Sequence, residues 1–97
     1  MDELIKSVKL SLRITNDAFN QEIEELIASC KMELSLAGIT KLDEADPLIN
    51  RAIIIYCKAN FGYSEDSEKF HRSYNCLKAS LSLAGDYSAK EDKVTVL

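Results

Sequence analysis

The chain has 97 residues, of which 46% are hydrophobic and 29% are charged, with one proline, three glycines and no tryptophan. This length allows one domain, and this composition is typical of a folded globular protein rather than a disordered one. The net charge is −4, with Lys and Arg scattered along the sequence. Tight nucleic-acid binding needs a dense basic surface, so these features argue against a DNA-binding protein and favour a protein partner.

The first predicted helix covers about residues 3–13. Leu4, Val8 and Leu12 recur every four residues, which is the spacing of a helix that buries one face. Leu10 and Ile14 lie off this stripe. We therefore interpret them as candidates for contact with a second surface.

The second predicted helix, about residues 16–37, has the clearest amphipathic pattern. Its apolar residues step by three or four positions, while glutamates and a lysine occupy the other positions. Asn16 and Asp17 have short polar side chains that can cap its N-terminus. Gly38 can adopt the left-handed conformation that ends a helix, so we expect it to follow the last turn.

The third predicted helix covers about residues 47–61. Asp46 directly precedes Pro47, and an aspartate at the N-cap before a proline is a strong signal for the start of a helix. Apolar residues occupy most of the circumference of this helix, and Gly62 is expected to end it. The pattern predicts a central helix that is buried on several sides.

The fourth predicted helix covers about residues 66–84 and ends at Gly85, after which the helical pattern breaks. Residues 94–97 alternate in a way that favours a β-strand, although no other strand is predicted to pair with them. We interpret this end as either frayed or ordered by strand addition to a partner. The predicted fold is all-α: a four-helix domain of residues 1–85 and a C-terminal tail of residues 86–97.

No set of residues is arranged for catalysis. His71, the one histidine, is expected to be exposed on the fourth helix, about 140° around the axis from Cys76. Three cysteines and one histidine lack the paired spacing of zinc sites, and the isolated glycines form no phosphate-binding loop. We therefore predict no enzyme activity, no metal and no cofactor.

Cys30, Cys57 and Cys76 are odd in number and widely spaced, which does not support a disulfide framework. Free cysteine packs as a small hydrophobic residue, so we expect all three to be reduced and buried in a cytosolic fold. The charged N-terminus lacks the pattern of a signal peptide, and the longest apolar run, residues 52–57, is too short to cross a membrane. A soluble protein is expected.

Residues 8–14 (VKLSLRI), followed by the acidic amphipathic helix from Asp17, resemble the opening of small phage head-tail connector proteins. Residues 46–54 and 56–63 look like the central helix of the branch of this family found in Gram-positive phages. The last helix fits the family through Phe70, Ser73, Tyr74 and Leu77. The resemblance covers roughly residues 4–83 and rests on packing motifs.

This resemblance implies a structural role. Connectors of this family, sometimes labelled DNA-packaging proteins, assemble as a ring below the portal and join the DNA-filled head to the tail. The implied partners are other copies of the chain, the portal protein and a downstream head-closure or tail protein, with DNA only as passing cargo and no membrane. The implied location is the head–tail junction of a phage or prophage virion, after assembly in the host cytoplasm.

Two other classes remain open at this point. One is a small helical protein–protein adaptor unrelated to phage, and the other is a DNA-binding regulator built on a helix-turn-helix. The regulator would need an exposed helix face dense in Arg, Lys, Asn and Gln, which no segment shows. For the connector, the candidate interface residues are Leu10, Ile14, Val94, Val96 and Leu97.

Overall fold

The computed structural model describes residues 2–61, 65–85 and 87, and these residues form four α-helices. In chain order the helices are α1 (Asp2–Leu12), α2 (Asn20–Leu36), α3 (Pro47–Asn60) and α4 (Ser67–Leu83). The predicted all-α fold and its order of helices are therefore confirmed. Gly62 and most of the predicted C-terminal tail lie outside the described residues.

Helix α2 begins at Asn20 rather than at residue 16, because the polar residues before it are used in the preceding loop. The Asn16 side chain accepts a hydrogen bond from the Ala18 amide at 2.9 Å, which closes a local turn. Phe19 occupies the N-cap position and makes no side-chain capping bond. The residues that resemble a helix cap in the sequence thus build the turn between α1 and α2.

Helix α1 ends with a non-glycine residue in the left-handed conformation. Arg13 has a φ of +60°, its amide donates to the Leu10 carbonyl at 3.1 Å, and the Ile14 amide donates to the Lys9 carbonyl at 2.9 Å. This pair of bonds satisfies two carbonyls that the helix end leaves free. Lys9 also pairs with Asp17 at 2.6 Å, and its hydrogen bond and charge lower the pKa of that carboxyl.

Helix α2 ends in the same way, but with the glycine that the sequence predicts. Gly38 has a φ of +91° and donates to the Ser35 carbonyl at 3.0 Å, while Ile39 donates to the Leu34 carbonyl at 2.9 Å. Both Ile39 and Leu34 are fully buried, so the turn is also held by apolar packing. Gly85, with a φ of +69°, follows α4 as predicted.

Helix α3 starts at the predicted cap and lies at the centre of the bundle. The Asp46 carboxylate accepts hydrogen bonds from the Leu48 amide at 2.8 Å and the Ile49 amide at 3.3 Å, with Pro47 in the first turn. The helix packs against α1, α2 and α4. Its fully buried residues are Ile49, Ala52, Ile53 and Cys57.

Tyr74 connects α4 to the rest of the core. The Cys30 thiol of α2 donates to the Tyr74 hydroxyl at 3.8 Å, and that hydroxyl donates to the Glu33 carboxylate at 3.3 Å. The Tyr74 ring packs edge-on against Tyr56 of α3, with 5.1 Å between centroids. Burial raises the pKa of Tyr74 above its ordinary value, so the hydroxyl keeps its proton and can donate at neutral pH.

Removing only the hydroxyl in Tyr74→Phe should lower the free energy of unfolding by about 1 kcal/mol, because the ring packing is retained while the hydrogen bond to Glu33 and the weak one from the Cys30 thiol are lost. Tyr74→Ala should cost about 3 to 5 kcal/mol, because it leaves a cavity between three helices. Urea denaturation followed by circular dichroism measures both values. Asn75→Ala, at the next and exposed position, is the control and should change stability little.

Arg13→Gly should raise the free energy of unfolding by roughly 0.5 to 1 kcal/mol, because glycine adopts a positive φ without the steric cost that a side chain carries. Arg13→Ala keeps the Cβ atom and should show no such gain. Thermal denaturation of the two variants and the parent chain provides the comparison. Equal stability of the glycine and alanine variants would contradict a strained residue 13.

Candidate interaction surfaces

The groups that could carry chemistry are either buried or isolated. Cys30 and Cys57 are fully buried, and burial raises the pKa of each thiol to about 12, so both keep their protons at neutral pH. His71 is exposed on α4, as the sequence predicts. Within residues 2–61, 65–85 and 87, no three or more His, Cys, Asp or Glu side chains are grouped to hold a metal ion.

Cys76 is exposed, so the expectation that all three cysteines are buried is wrong for this residue. Tyr74 and Leu81 face the core from α4, whereas Cys76 lies on the side of the helix that carries Ser73 and Ser80. Its apolar character in the sequence does not reveal on which side of the helix it lies. The structure therefore has two inaccessible thiols and one accessible thiol.

Cys76 should react with iodoacetamide within minutes in the native protein at low micromolar concentration, while Cys30 and Cys57 should react only as the protein unfolds. The reason is that a buried, protonated thiol is a poor nucleophile and cannot meet the reagent. Mass spectrometry of intact and digested protein counts and locates the modified cysteines. Cys76→Ser should remove the fast reaction, and rapid modification of Cys30 or Cys57 in the native protein would contradict the described core.

The two predicted interface residues near the end of α1 have different surroundings. Leu10 is 80% exposed, so its side chain is available to a partner. Ile14 is partly buried and packs against the core, so the fold gives it a structural contact of its own. The other three predicted interface residues, Val94, Val96 and Leu97, lie outside the described residues.

Tyr87 attaches the beginning of the predicted tail to the loop between α2 and α3. Its carbonyl accepts hydrogen bonds from the amides of Thr40 at 2.8 Å and Lys41 at 3.0 Å. Its hydroxyl donates to the Asp46 carboxylate, at 3.1 Å from Oδ2. Tyr87, the last residue that the structure describes, therefore lies next to the N-terminus of α3.

Helix α2 carries an exposed face that is not among the surfaces predicted from the sequence. Met32 is 63% exposed and Leu36 is 81% exposed, and both follow Ala28 at four-residue spacing. Glu22 and Glu25 are exposed in the first part of the helix. We call these five residues the α2 outer face. The sequence does contain a feature that indicates this face, because Met32 and Leu36 lie off the apolar stripe that α2 buries.

A second surface, the α3–α4 groove, runs between these two helices on the outside of the bundle. Its lining combines basic, small and apolar side chains: Arg51, Ile55, Lys69, Arg72, Ser73, Cys76, Leu77 and Ser80. An adjoining part of the groove shares Arg51, Ile55 and Ser73 with the first part and is lined also by Ile54, Lys58 and Phe70, and by Ser11 of α1. None of the residues that line either part of the groove is acidic.

The fold concentrates positive charge in this groove although Lys and Arg are scattered in the sequence. Arg51 and Lys58 are seven residues apart on α3, and Lys69 and Arg72 are three apart on α4, so each pair lies on one side of its helix. Arg72 pairs with Glu68 at 3.1 Å. Neither Arg51 nor Lys69 makes an ion pair with any residue that the structure describes.

Taken as a class, this is a small helical protein, and the features described above are apolar and charged surfaces on the outside of its helices. The phage connector protein family matches residues 4–88, which include α2, α3, α4, all but the first two residues of α1, and Tyr87, and the chain belongs to that family. The family resemblance seen in the sequence is thus confirmed, with a structural, connecting role in a phage. No curated protein and no solved structure matches the chain.

The described helices do not include a membrane-spanning segment. None of the helices in residues 2–61 and 65–85 has the length and apolar character needed to cross a bilayer.

Proposed function

We propose that the protein is a head–tail connector that assembles as a ring below the portal and joins the DNA-filled head to the tail. The observation that carries this proposal is the family match over residues 4–88, since it covers all of the helical bundle except the first two residues of α1. The proposed partners are other copies of the chain, the portal protein and a downstream head-closure or tail protein. The chain acts without catalysis or a cofactor, at the head–tail junction of the virion, after assembly in the host cytoplasm.

The physical properties of the surface support a protein that contacts several neighbours. Leu10, Leu36 and Leu83 are each at least 80% exposed, and they belong to three different helices. A member of a ring between two other components needs contact surfaces on several sides, and exposed apolar side chains contribute binding energy when a partner covers them. The net charge of −4 disfavours a tight grip on passing DNA.

Size-exclusion chromatography with light scattering of the chain, the portal protein and their mixture tests this proposal. We expect a ring of the free chain or co-elution with the portal. A chain that stays monomeric and elutes apart from the portal at both low and high salt would contradict the proposal. Electron microscopy of the co-eluting fraction then determines whether the complex is a ring.

Leu10→Asp should weaken assembly or portal binding at least about tenfold if Leu10 is a contact, because a carboxylate replaces an apolar group that a partner would desolvate. Its fold should be unaffected, since the side chain is 80% exposed. Ala79→Asp places the same charge at an exposed position of α4 and serves as the control. Deleting residues 93–97 tests the predicted tail contact separately, and normal joining of heads and tails by the truncated chain would contradict it.

A further inference from the structure

The shape of the α3–α4 groove suits a helix. Ile55 and Leu77 are partly buried in its floor, so they offer an apolar surface that water still reaches. Ser73, Cys76 and Ser80 line its α4 side and are exposed. Small side chains at three- and four-residue spacing allow a second helix to approach closely along α4.

The charge of the groove specifies the chemistry of what binds there. Arg51 and Lys69 form no ion pair with any described residue, and Arg72 forms an ion pair with the exposed carboxylate of Glu68. A partner that brings carboxylates and an apolar ridge would satisfy both parts of the groove. A phosphate backbone would neutralise the basic groups but would leave Ile55 and Leu77 against a polar surface.

The α2 outer face of the same protein has this composition. Ala28, Met32 and Leu36 form an exposed apolar ridge, and Glu22 and Glu25 precede it on the helix. Positive and negative surfaces that also match in apolar character give both the specificity and the encounter rate of protein association. The face and the groove are therefore complementary in charge and in hydrophobicity.

These two surfaces cannot meet within one molecule. Helix α2 packs on α3, and its outer face points away from the side of the helix that carries the buried Ile23 and Ile27. On α3, Arg51 and Ile55 line the groove, whereas the core side carries Ile53. The two surfaces thus lie on opposite sides of the α2–α3 pair, which is the arrangement of a head-to-tail contact that repeats from copy to copy.

We propose that the α3–α4 groove of one copy binds the α2 outer face of the next copy. This inference rests on the proposed ring and identifies the two surfaces that meet at each subunit boundary. The acidic part of α2 lies against Arg51, Lys69 and Arg72, and its apolar ridge covers the groove floor. The contact is heterologous, so every copy uses both of its surfaces and a closed ring leaves neither exposed.

Two charge-reversed variants test the contact. The groove variant carries Arg51→Glu and Lys69→Glu, and the face variant carries Glu22→Lys and Glu25→Lys. Each alone should self-associate at least about tenfold more weakly than the parent chain, because like charges then oppose each other at the contact. Mixing the two should restore assembly at a 1:1 ratio, because each variant supplies the surface that the other lacks.

The control variant carries Lys41→Glu, which reverses an exposed charge in the loop between α2 and α3, outside both the groove and the α2 outer face. It should assemble as the parent does and should not need mixing. Sedimentation velocity at micromolar to millimolar concentration measures all of these species, and circular dichroism checks that each is folded. Assembly can be restored on mixing only if both variants are folded. The mixing experiment therefore distinguishes loss of the contact from loss of the fold.

Restored assembly on mixing supports the proposal. If the variants assemble as well as the parent chain, the proposed contact is wrong. The connector function is still supported in that case if the parent chain forms a ring or binds the portal. The proposed contact is also overturned if the parent chain self-associates neither at millimolar concentration nor on the portal. In that case, co-elution with the portal tests the connector function separately. Binding of duplex DNA that the groove variant loses would make the groove a nucleic-acid site and would also overturn the proposed contact.

Cys76 reports on the same contact without any substitution. Because this thiol lines the groove, its alkylation by iodoacetamide should slow at least about tenfold when the parent chain assembles, since a buried thiol reacts only when the contact opens. The face variant should keep the fast rate at the same concentration. An unchanged alkylation rate in an assembled parent chain would show that the groove stays open and would overturn the proposal.

Discussion

The burial of α3 is the constraint from which the rest of the structure follows. Apolar side chains occupy most of its circumference, and removing them from water requires neighbours on several sides. Within the part of the chain that the structure describes, the other three helices supply these neighbours, and each of them packs on α3. Once α3 is surrounded, the outward sides of α2 and α4 are left at the surface, and these sides form the face and the groove.

Polar contacts then determine how the surrounding helices are held. Tyr74 joins α4 to α2 by a hydrogen bond from Cys30 and one to Glu33, so the position of α4 depends on two partners that lie on one helix. Asp46 caps α3 and also accepts a hydrogen bond from Tyr87, which links the helix start to the beginning of the tail. A modest apolar core is thus supplemented by a few directional bonds, each of which lies between elements that packing alone would orient less strictly.

The charge and apolar area on the surface of this protein are distributed as expected for a structural protein. Burial in the core raises the pKa values of the Cys30 and Cys57 thiols, so these two groups stay neutral and belong to the packing of the protein. Charge and apolar area are instead distributed over the outside of two helices and one groove. Such surfaces bind a large, complementary partner, and the structural role of the phage connector protein family is consistent with them.

The helices and most of their ends can be predicted from the sequence, because periodicity, the Asp46–Pro47 start and the glycine stops act over a few neighbouring residues. The sequence also determined the family, through packing residues spread over the same helices. It placed the start of α2 too early, since Asn16 suits a turn as well as a cap and only the loop geometry decides between them.

The composition of the surfaces, in contrast, depends on how the helices pack together. The exposure of Cys76, the partly buried position of Ile14 and the gathering of Arg51 with Lys69 depend on how α3 and α4 pack, and the contact between Tyr87 and Asp46 joins residues 41 apart. The spacing of residues in the sequence indicates which side chains share one side of a helix. It does not indicate which sides of two helices face each other. Surface chemistry in this protein is therefore a property of helix packing, while helix formation is a property of the sequence.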